Sequence, residues 1–362
     1  MTIHLFILIK IEMKSKITKS RAAILVSQNM PLEIDIIDFP EKLEFGQVIV
    51  KVEVSGICGS QIGEIDGHKG QDKFLPHLLG HEGCGRVIQI GEGVNTVKEG
   101  DKVVLHWKAG AGIQSNTPKY LWRGKTLNAG WITTFNDYAI ISENRCTKIP
   151  IDTDSTVASL MGCAITTGFG VIENNAKLKM GESVVIFGSG GIGLSMIQAA
   201  KSLSAWPIIA VDIYQNRLNL AKDIGATHTI NSKNEDAFNR LNKIFKNSSL
   251  DVFIDNTGVP SIIENGYQLT KKDGKIILVG VPKLGQNINI YSLSMHFGKQ
   301  MIGSFGGSSQ PEKDIPRYLN HVDKNKIDMN KLISKTFSIE EINNAIDSMR
   351  DGTTAGRVLI NF

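Results

Sequence analysis

Two cysteines and a histidine, far apart along the chain, stand among small residues: Ser55-Gly56-Ile57-Cys58-Gly59-Ser60, Gly80-His81-Glu82-Gly83 and Met161-Gly162-Cys163-Ala164. Singly, each has a bland explanation, a lone cysteine being a small buried hydrophobe and a His-Glu pair a solvated turn. Together they offer two thiolates and one imidazole, a soft nitrogen–sulfur set suited to zinc, with a fourth position left for water or substrate. A second constellation is Gly188-Ser189-Gly190-Gly191-Ile192-Gly193, a G-x-G-x-x-G that follows a strand-like run and opens a helical one. The first glycine permits a tight turn and the second lets the backbone approach a pyrophosphate. The third allows helix against strand, and the helix N-terminus faces the anion. Asp212 follows Gly193 by 212 − 193 = 19 residues, at the end of the next strand-like run. An acidic residue there can accept hydrogen bonds from both adenosine ribose hydroxyls and repels a 2′-phosphate, which favours NAD over NADP. The alternative for Asp212 is a helix cap with no ligand.

These groups need elements to carry them. From Arg21 to about Pro150 short strand-like runs are broken by Gly and Pro: Gln47 to Val54, alternating cleanly from Val48, then Gly85 to Gly91 and Asp101 to Leu105. Many strands at this spacing predict a β-barrel-like domain. Around Gly181 the character changes. Strand-like runs at Ser183–Phe187, Pro207–Val211, Asp251–Ile254 and Lys275–Val279 alternate with helical periods. Ile192, Met196, Ala199 and Leu203 share one helix face; Leu218, Ala221 and Ile224 share another, with Gly225 placed to end it. Alternating βα units imply a parallel sheet covered on both sides. The tail after about Gly306 returns to mixed character and closes with the strand-like Arg357-Val358-Leu359-Ile360.

The bulk numbers fit this α/β reading. At 362 residues the chain is longer than one core usually serves, so two domains are expected. Hydrophobic residues at 41% and charged residues at 21% describe a globular chain, not disorder or membrane. Its 36 glycines are about a tenth of the chain, against a typical ~7%, as many tight turns require. A net charge of +4 from interspersed residues gives no case for nucleic-acid binding. Four scattered cysteines, Cys58, Cys84, Cys146 and Cys163, are too few for a disulfide framework and point to a reduced cytoplasmic compartment. Met1–Glu12 holds the apolar run Leu5 to Ile9 without a basic leader or cleavage site. It reads as a start-site artefact, with Met13 the first residue, and is excluded from the fold.

From Lys14 onwards the sequence resembles the zinc-containing alcohol dehydrogenases of the medium-chain dehydrogenase/reductase superfamily. The carriers are the Cys58 segment, Gly80-His81-Glu82-Gly83, and the Gly162-Cys163…Thr167-Gly168-Phe169-Gly170 stretch. The dinucleotide fingerprint with Asp212, Val279-Gly280-Val281-Pro282 and Ser304-Phe305-Gly306-Gly307 complete the set. The resemblance implies a GroES-like β-barrel catalytic domain (14–163 and 306–362) around an inserted Rossmann NAD-binding domain (164–305). It places zinc ligands at Cys58, His81 and Cys163, Glu82 as a transient ligand or support, and Ser60 as the hydroxyl contacting the substrate oxygen. Thr167 would lie against the nicotinamide, and the backbone near Val279, Val281 and Phe305 would bind its carboxamide. Arg217 would lie by the adenosine ribose, Arg357 near the pyrophosphate, and Trp107 at an aromatic wall of the substrate pocket. Gly188, Gly190, Gly191, Ile192 and Gly193 would frame the dinucleotide. The implied reaction is reversible hydride transfer between a small-molecule alcohol and NAD in a homodimer or homotetramer, with no nucleic-acid or membrane partner.

Three departures from the family pattern matter. The lobe of four cysteines that often holds a structural zinc is replaced by Trp107-Lys108-Ala109-Gly110-Ala111-Gly112-Ile113-Gln114-Ser115-Asn116, so one catalytic ion per chain is expected and no structural zinc. The family's Asp three residues past the first ligand is here Gln61, so the electrostatics around the ligands must differ. Five residues past Cys58, where some members carry a proton-passing histidine, stands Gly63; His68 is nearby, as a relay or as a surface-loop residue. Lys108, Lys119, Arg123 and Lys125 lie beside Trp107, Tyr120 and Trp122. They form either a solvated loop packed by aromatics or a pocket rim for a phosphorylated or nucleotide-linked substrate; the alcohol itself is expected to be a polyol or a phosphorylated or nucleotide-linked sugar alcohol. Two rival functions remain open at this point: a zinc-free NAD(P)H-dependent enone or quinone reductase, and a nucleotide-binding interaction protein without catalysis. The intact metal triad and Asp212 argue against the first; Gln61 and Gly63 keep the second.

Overall fold

The alternation that begins at Val48 becomes the strand Gln47–Ile57, the centre of a seven-stranded sheet. Its path runs Cys146–Lys148, Lys102–His106, Glu82–Ile90, Gln47–Ile57, Arg357–Asn361, Ile333–Ser338, and Tyr138–Ser142 also pairs with Gln47–Ile57. Alternation predicts one wet face, yet Val48, Ile49 and Val50 are all fully buried. Ile49 packs in a cluster with Ile37, Tyr120 and Ile140, while Val48 and Val50 pack on the opposite side with Val87, Val103 and Leu105. The Ile49 face is covered by a five-stranded sheet, ordered His77–Leu78, Lys19–Leu25, Glu33–Asp38, Tyr120–Trp122, Lys125–Leu127, and the Val48 and Val50 face by other strands of the seven-stranded sheet itself, as in a barrel. The computed structural model describes residues 15–68 and 70–362, so the reading of Met1–Glu12 lies outside the described residues.

The βα half forms a six-stranded sheet in which every pairing is parallel. Its order is His228–Asn231, Ile208–Asp212, Val184–Phe187, Leu250–Asp255, Thr270–Leu278, Gln300–Gly303, with the first strand in sequence at the centre. That order reverses direction beside Val184–Phe187, the switch point where doubly wound sheets open a crevice at the strands' carboxyl ends. Helix Gly191–Ser202 buries Met196 and Ala199 against Val184 and Ile186, as its period predicts. Leu203 lies beyond the helix as its C-cap and is 37% exposed, so the expected face ends one turn early. Helix Gln215–Ile224 buries Leu218, Ala221 and Ile224 and stops at Gly225, whose φ of 146° a side chain would strain.

The closing strand Arg357–Asn361 does not join the parallel sheet. It pairs antiparallel with Gln47–Ile57, Val358 opposite Ile57 and Asn361 opposite Val54. The end of the chain is thereby carried back beside Cys58. Among the described residues no helix is long and apolar enough to cross a membrane.

Candidate functional site

Each of the three candidate ligand residues sits where an element begins. Cys58 is the N-cap of helix Gly59–Ile65 directly after strand Gln47–Ile57. Cys163 is the N-cap of helix Ala164–Gly170. His81 precedes strand Glu82–Ile90 and follows Gly80, which holds φ 97°; a Cβ on Gly80 would stand only 2.3 Å from the Thr134 hydroxyl. The ligand atoms of Cys58, His81 and Cys163 all lie within 4.8 Å of one another. Cys58 and Cys163 are 4% and 5% exposed. The hydrogen bond from Cys163 holds the Cys58 sulfur well below the ordinary thiol range against the effect of burial, with Arg357 and His81 adding positive charge. The same contact, with burial, pushes the Cys163 thiol well up. Burial pulls His81 towards the neutral form, but the Cys58 sulfur and the Glu82 carboxylate outweigh it and hold the imidazole above its usual value. Two sulfurs and an imidazole whose ligand atoms converge in this way form a donor set that fits a zinc ion.

Glu82 is fully buried behind these ligands. Its carboxylate faces Arg357, with Nε 3.0 Å from Oε1 and Nη2 donating to Oε2 at 3.3 Å, and Oε2 also accepts the Ala164 amide at 3.2 Å. Burial still raises the Glu82 carboxyl above the usual carboxylate range, in spite of Arg357. Gly56 makes room for it, since a Cβ there would lie 2.5 Å from Oε1. The other side of Arg357 presses on the glycine turn, its Cδ 3.0 Å from where a Gly191 Cβ would be. Arg357 therefore spans from the carboxylate beside the thiols to the dinucleotide fingerprint.

A cleft of about 440 Å³ opens along this span. Residues singled out from sequence that line it include Cys58, Ser60, Gly190, Gly191, Ile192, Arg217, Val279, Val281 and Arg357. The remaining predicted residues stand near it or behind it. Gly188 takes φ 93°, and Gly193 would drive a Cβ to 2.0 Å from the Gly188 carbonyl oxygen, so the turn and the helix close on each other only without side chains there. Asp212 is buried, accepting the Ser189 amide at 2.7 Å on one oxygen and the Tyr214 amide at 2.9 Å on the other, with Arg217 3.9 Å away. Thr167 is buried in helix Ala164–Gly170, its carbonyl against Gly307. Phe305 is 67% exposed and meets Trp107 edge-on with centroids 5.1 Å apart, under the Lys108 ammonium. Asn256 and Thr257 also line the cleft, and Asn256 donates to the Gly188 carbonyl at 3.2 Å. Sequence reasoning missed both; their place just after strand Leu250–Asp255, at a carboxyl end beside the switch point, was the signal.

The departures take definite form. Gln61 accepts the Cys58 amide on Oε1 at 3.0 Å, capping the helix, while its buried Nε2 has no hydrogen-bond partner. The imidazole of His68 lies over Gly63, Nδ1 3.2 Å from where that residue's Cβ would be, and lines the same cleft as Ser60. The four cations proposed as a rim are dispersed. Lys119 donates to Asn128 and lines a separate cavity beside His81; Arg123 pairs with Asp35 and Glu33 and covers the Trp122 ring. Neither Lys108, Arg123 nor Lys125 is among the residues lining that cavity.

Comparison with known proteins agrees with this architecture. Residues 44–151 match the family model of the alcohol dehydrogenase GroES-like domain, and residues 191–324 that of the zinc-binding dehydrogenases. The chain is 31% identical to an S-(hydroxymethyl)glutathione dehydrogenase of Escherichia coli, over 94% of this chain and 99% of the relative. Among solved structures it is similar to a benzyl alcohol dehydrogenase of Acinetobacter calcoaceticus, at 30% identity and TM-score 0.85 over 96% of this chain and 100% of the other. An alcohol dehydrogenase zinc-binding domain protein of Burkholderia ambifaria matches at 28% identity and TM-score 0.86, over 95% and 99%. The chain is an oxidoreductase of the zinc-containing alcohol dehydrogenase family within the medium-chain dehydrogenase/reductase superfamily.

Proposed function

We propose that this chain catalyses the reversible, NAD-linked oxidation of a small-molecule alcohol to its carbonyl compound, with a catalytic zinc ion held by Cys58, His81 and Cys163. The observation that carries the proposal is the convergence of those three side chains within 4.8 Å at a cleft that also contains Gly190, Gly191 and Ile192. When bound, zinc supplies Lewis-acid polarisation of the substrate oxygen, and the nicotinamide supplies the hydride acceptor.

The chain's own residues do the rest. Gly188, Gly190, Gly191, Ile192 and Gly193 frame the pyrophosphate, Asp212 and Arg217 take the adenosine ribose, and Thr167 with the backbone near Val279, Val281 and Phe305 orients the nicotinamide. A carboxylate at Asp212 disfavours a 2′-phosphate, which supports NAD. Glu82 and Arg357 compensate each other beside the thiolates and link the metal ligands to the cofactor turn. Ser60 accepts the proton of the substrate hydroxyl as it releases its own towards the nicotinamide ribose. His68 replaces, from a different sequence position, the histidine missing at Gly63, and passes that proton from the cleft to solvent.

The finer substrate class we infer is a polyol or a phosphorylated or nucleotide-linked sugar alcohol. Lys119, which lines the cavity beside His81, supports it. The functional unit we infer is at least a homodimer, working in the cytoplasm, with catalytic domain 14–163 and 306–362 and nucleotide domain 164–305. Metal analysis, NADH fluorescence quenching and an alcohol panel test the proposal together. Cys163→Ser is expected to lose the ion held by the two-cysteine triad, and turnover, while keeping NADH binding. Metal-free, folded protein that turns over at the rate of the untreated enzyme would overturn it.

A further inference from the structure

The second cavity, beside His81, carries a cluster that the hydride-transfer reading does not use. Gln61, Glu64, His77 and His81 all line it. His77 is buried, and its Nδ1 lies 3.0 Å from the Leu78 carbonyl oxygen, an acceptor only, so Nδ1 carries the hydrogen. Nε2 faces a second set of acceptors: Asp72 Oδ2 at 2.8 Å and Glu64 Oε1 at 3.9 Å. Nε2 therefore either donates to Asp72 Oδ2 or, free of hydrogen, stands as a ligand atom flanked by two carboxylates, the geometry a cation would occupy.

We infer that Glu64, Asp72 and His77 form a second site for a divalent transition-metal ion, built of nitrogen and oxygen ligands and separate from the two-cysteine triad. The three ligand atoms lie within 4.8 Å of one another. Zinc bonds of about 2.1 Å in tetrahedral array separate neighbouring ligand atoms by about 3.4 Å, a value that the 2.8 and 3.9 Å contacts bracket. The support around the ligands has the form metal sites use. His77 hands its other nitrogen to a backbone carbonyl, and Asp72 is fixed by the Phe74 amide on Oδ1 at 2.8 Å. The His77 and Asp72 side chains are each 9% exposed. An ion bound at Nε2 takes the place of a hydrogen there, and the two carboxylates then balance a dication.

A second observation points to a ligand in this cavity. Gln61 is 1% exposed and its Nε2 is an unpartnered donor. Gln61 and Glu64 are three residues apart on helix Gly59–Ile65 and so share a face. A water completing the ion's coordination offers the oxygen that this donor lacks. The ion would join the helix that begins at Cys58 to the strand His77–Leu78 that leads to His81, bracing both catalytic ligands of the first half. Its ligands include no cysteine, so it adds a second ion to the single one expected from the cysteine pattern of the sequence.

Metal-depleted full-length protein is reconstituted with Zn2+ or with Co2+, desalted, and its bound metal counted per chain. Two ions are expected in the wild type. The cobalt spectrum distinguishes them, the triad ion showing a thiolate-to-metal charge-transfer band and the second ion only ligand-field absorption. Asp72→Asn, which keeps the Phe74 contact, is expected to lose the sulfur-free ion alone; His77→Gln is the second variant should the first fail to fold. Cys163→Ser is expected to lose the thiolate band and retain the sulfur-free ion, so failure of the triad reading and failure of this one give different results. If no sulfur-free ion binds, or if it persists in both Asp72→Asn and His77→Gln, the proposal is overturned and His77–Asp72 is an imidazolium–carboxylate pair only.

Discussion

Glu143→Gln tests how the segment standing in place of the cysteine lobe keeps its shape. The Glu143 side chain is fully buried and accepts four hydrogen bonds: Asn95 N at 2.7 Å, Thr96 N at 2.8 Å and Thr96 Oγ at 2.9 Å on one oxygen, Ile113 N at 2.7 Å on the other. Gly112 leaves the space, a Cβ there lying 2.8 Å from Glu143 Cγ. The carboxylate thus ties the turn at 95–96 to the segment 107–116, which begins at Trp107. Glutamine keeps one oxygen. Three bonds lose their charge assistance, about 0.5–1 kcal/mol each, and the Ile113 amide is left facing an NH2 group, about 1–3 kcal/mol. The sum is about 2.5–6 kcal/mol, a large fraction of typical domain stability.

The pH dependence follows from the same geometry. Burial raises the Glu143 carboxyl, but the amides of Asn95, Ile113 and Thr96 outweigh it and hold the group below the ordinary value of 4.5. The folded protein therefore binds fewer protons than the unfolded chain between the two values. Its contribution is full above the unfolded value and is lost as pH falls through the folded one. Thermal melting of wild type and Glu143→Gln should differ widely at pH 7 and converge towards acid. Hydrogen exchange at Asn95, Thr96 and Ile113 should accelerate in the variant at pH 7. Equal melting temperatures at pH 7 with unchanged protection of those amides would refute the reasoning.

Other outcomes follow from the site. Asp212→Gly removes the carboxylate held by the Ser189 and Tyr214 amides, so the NADP-to-NAD preference should rise by about tenfold or more, equivalent to about 1.4 kcal/mol; an unchanged ratio in steady-state kinetics counts against its assigned role. Gly193→Ala places a Cβ 2.0 Å from the Gly188 carbonyl, and the overpacking should cost about 1–3 kcal/mol in melting together with weaker NADH quenching; normal values on both would show that the turn tolerates a side chain. His68→Gln should lower kcat by about tenfold, leave the KM for NAD in place and recover with added imidazole, whereas a wild-type rate assigns proton exit to another group.

What could be read from the chain depended on whether the physics was local. Met196 and Ala199 turned inwards because a helix repeats every 3.6 residues, and the order of βα units was enough to anticipate a parallel sheet. Gln47–Ile57 was legible as a strand but not as one buried on both faces, because a second sheet covers it from elsewhere in sequence. Of the four cations read as a loop or a rim, only Lys119 lines the cavity beside His81, because Arg123 finds Asp35 and Glu33 on a neighbouring strand, a pairing no local pattern signals.

The amino-acid sequence alone determined the chemical types and the turns: two sulfurs and an imidazole beside glycines, and a fingerprint whose glycines are required by contacts as short as that of Gly193 with Gly188. Only the tertiary structure decided which distant groups meet. Glu82 and Arg357 are 275 residues apart and share a buried ion pair because the last strand pairs with Gln47–Ile57. His68 reaches the space over Gly63, and His77 finds itself between a carbonyl and two carboxylates. Spacing encodes contacts closed within one turn of backbone, whereas a contact closed through strand pairing depends on the register of the whole sheet.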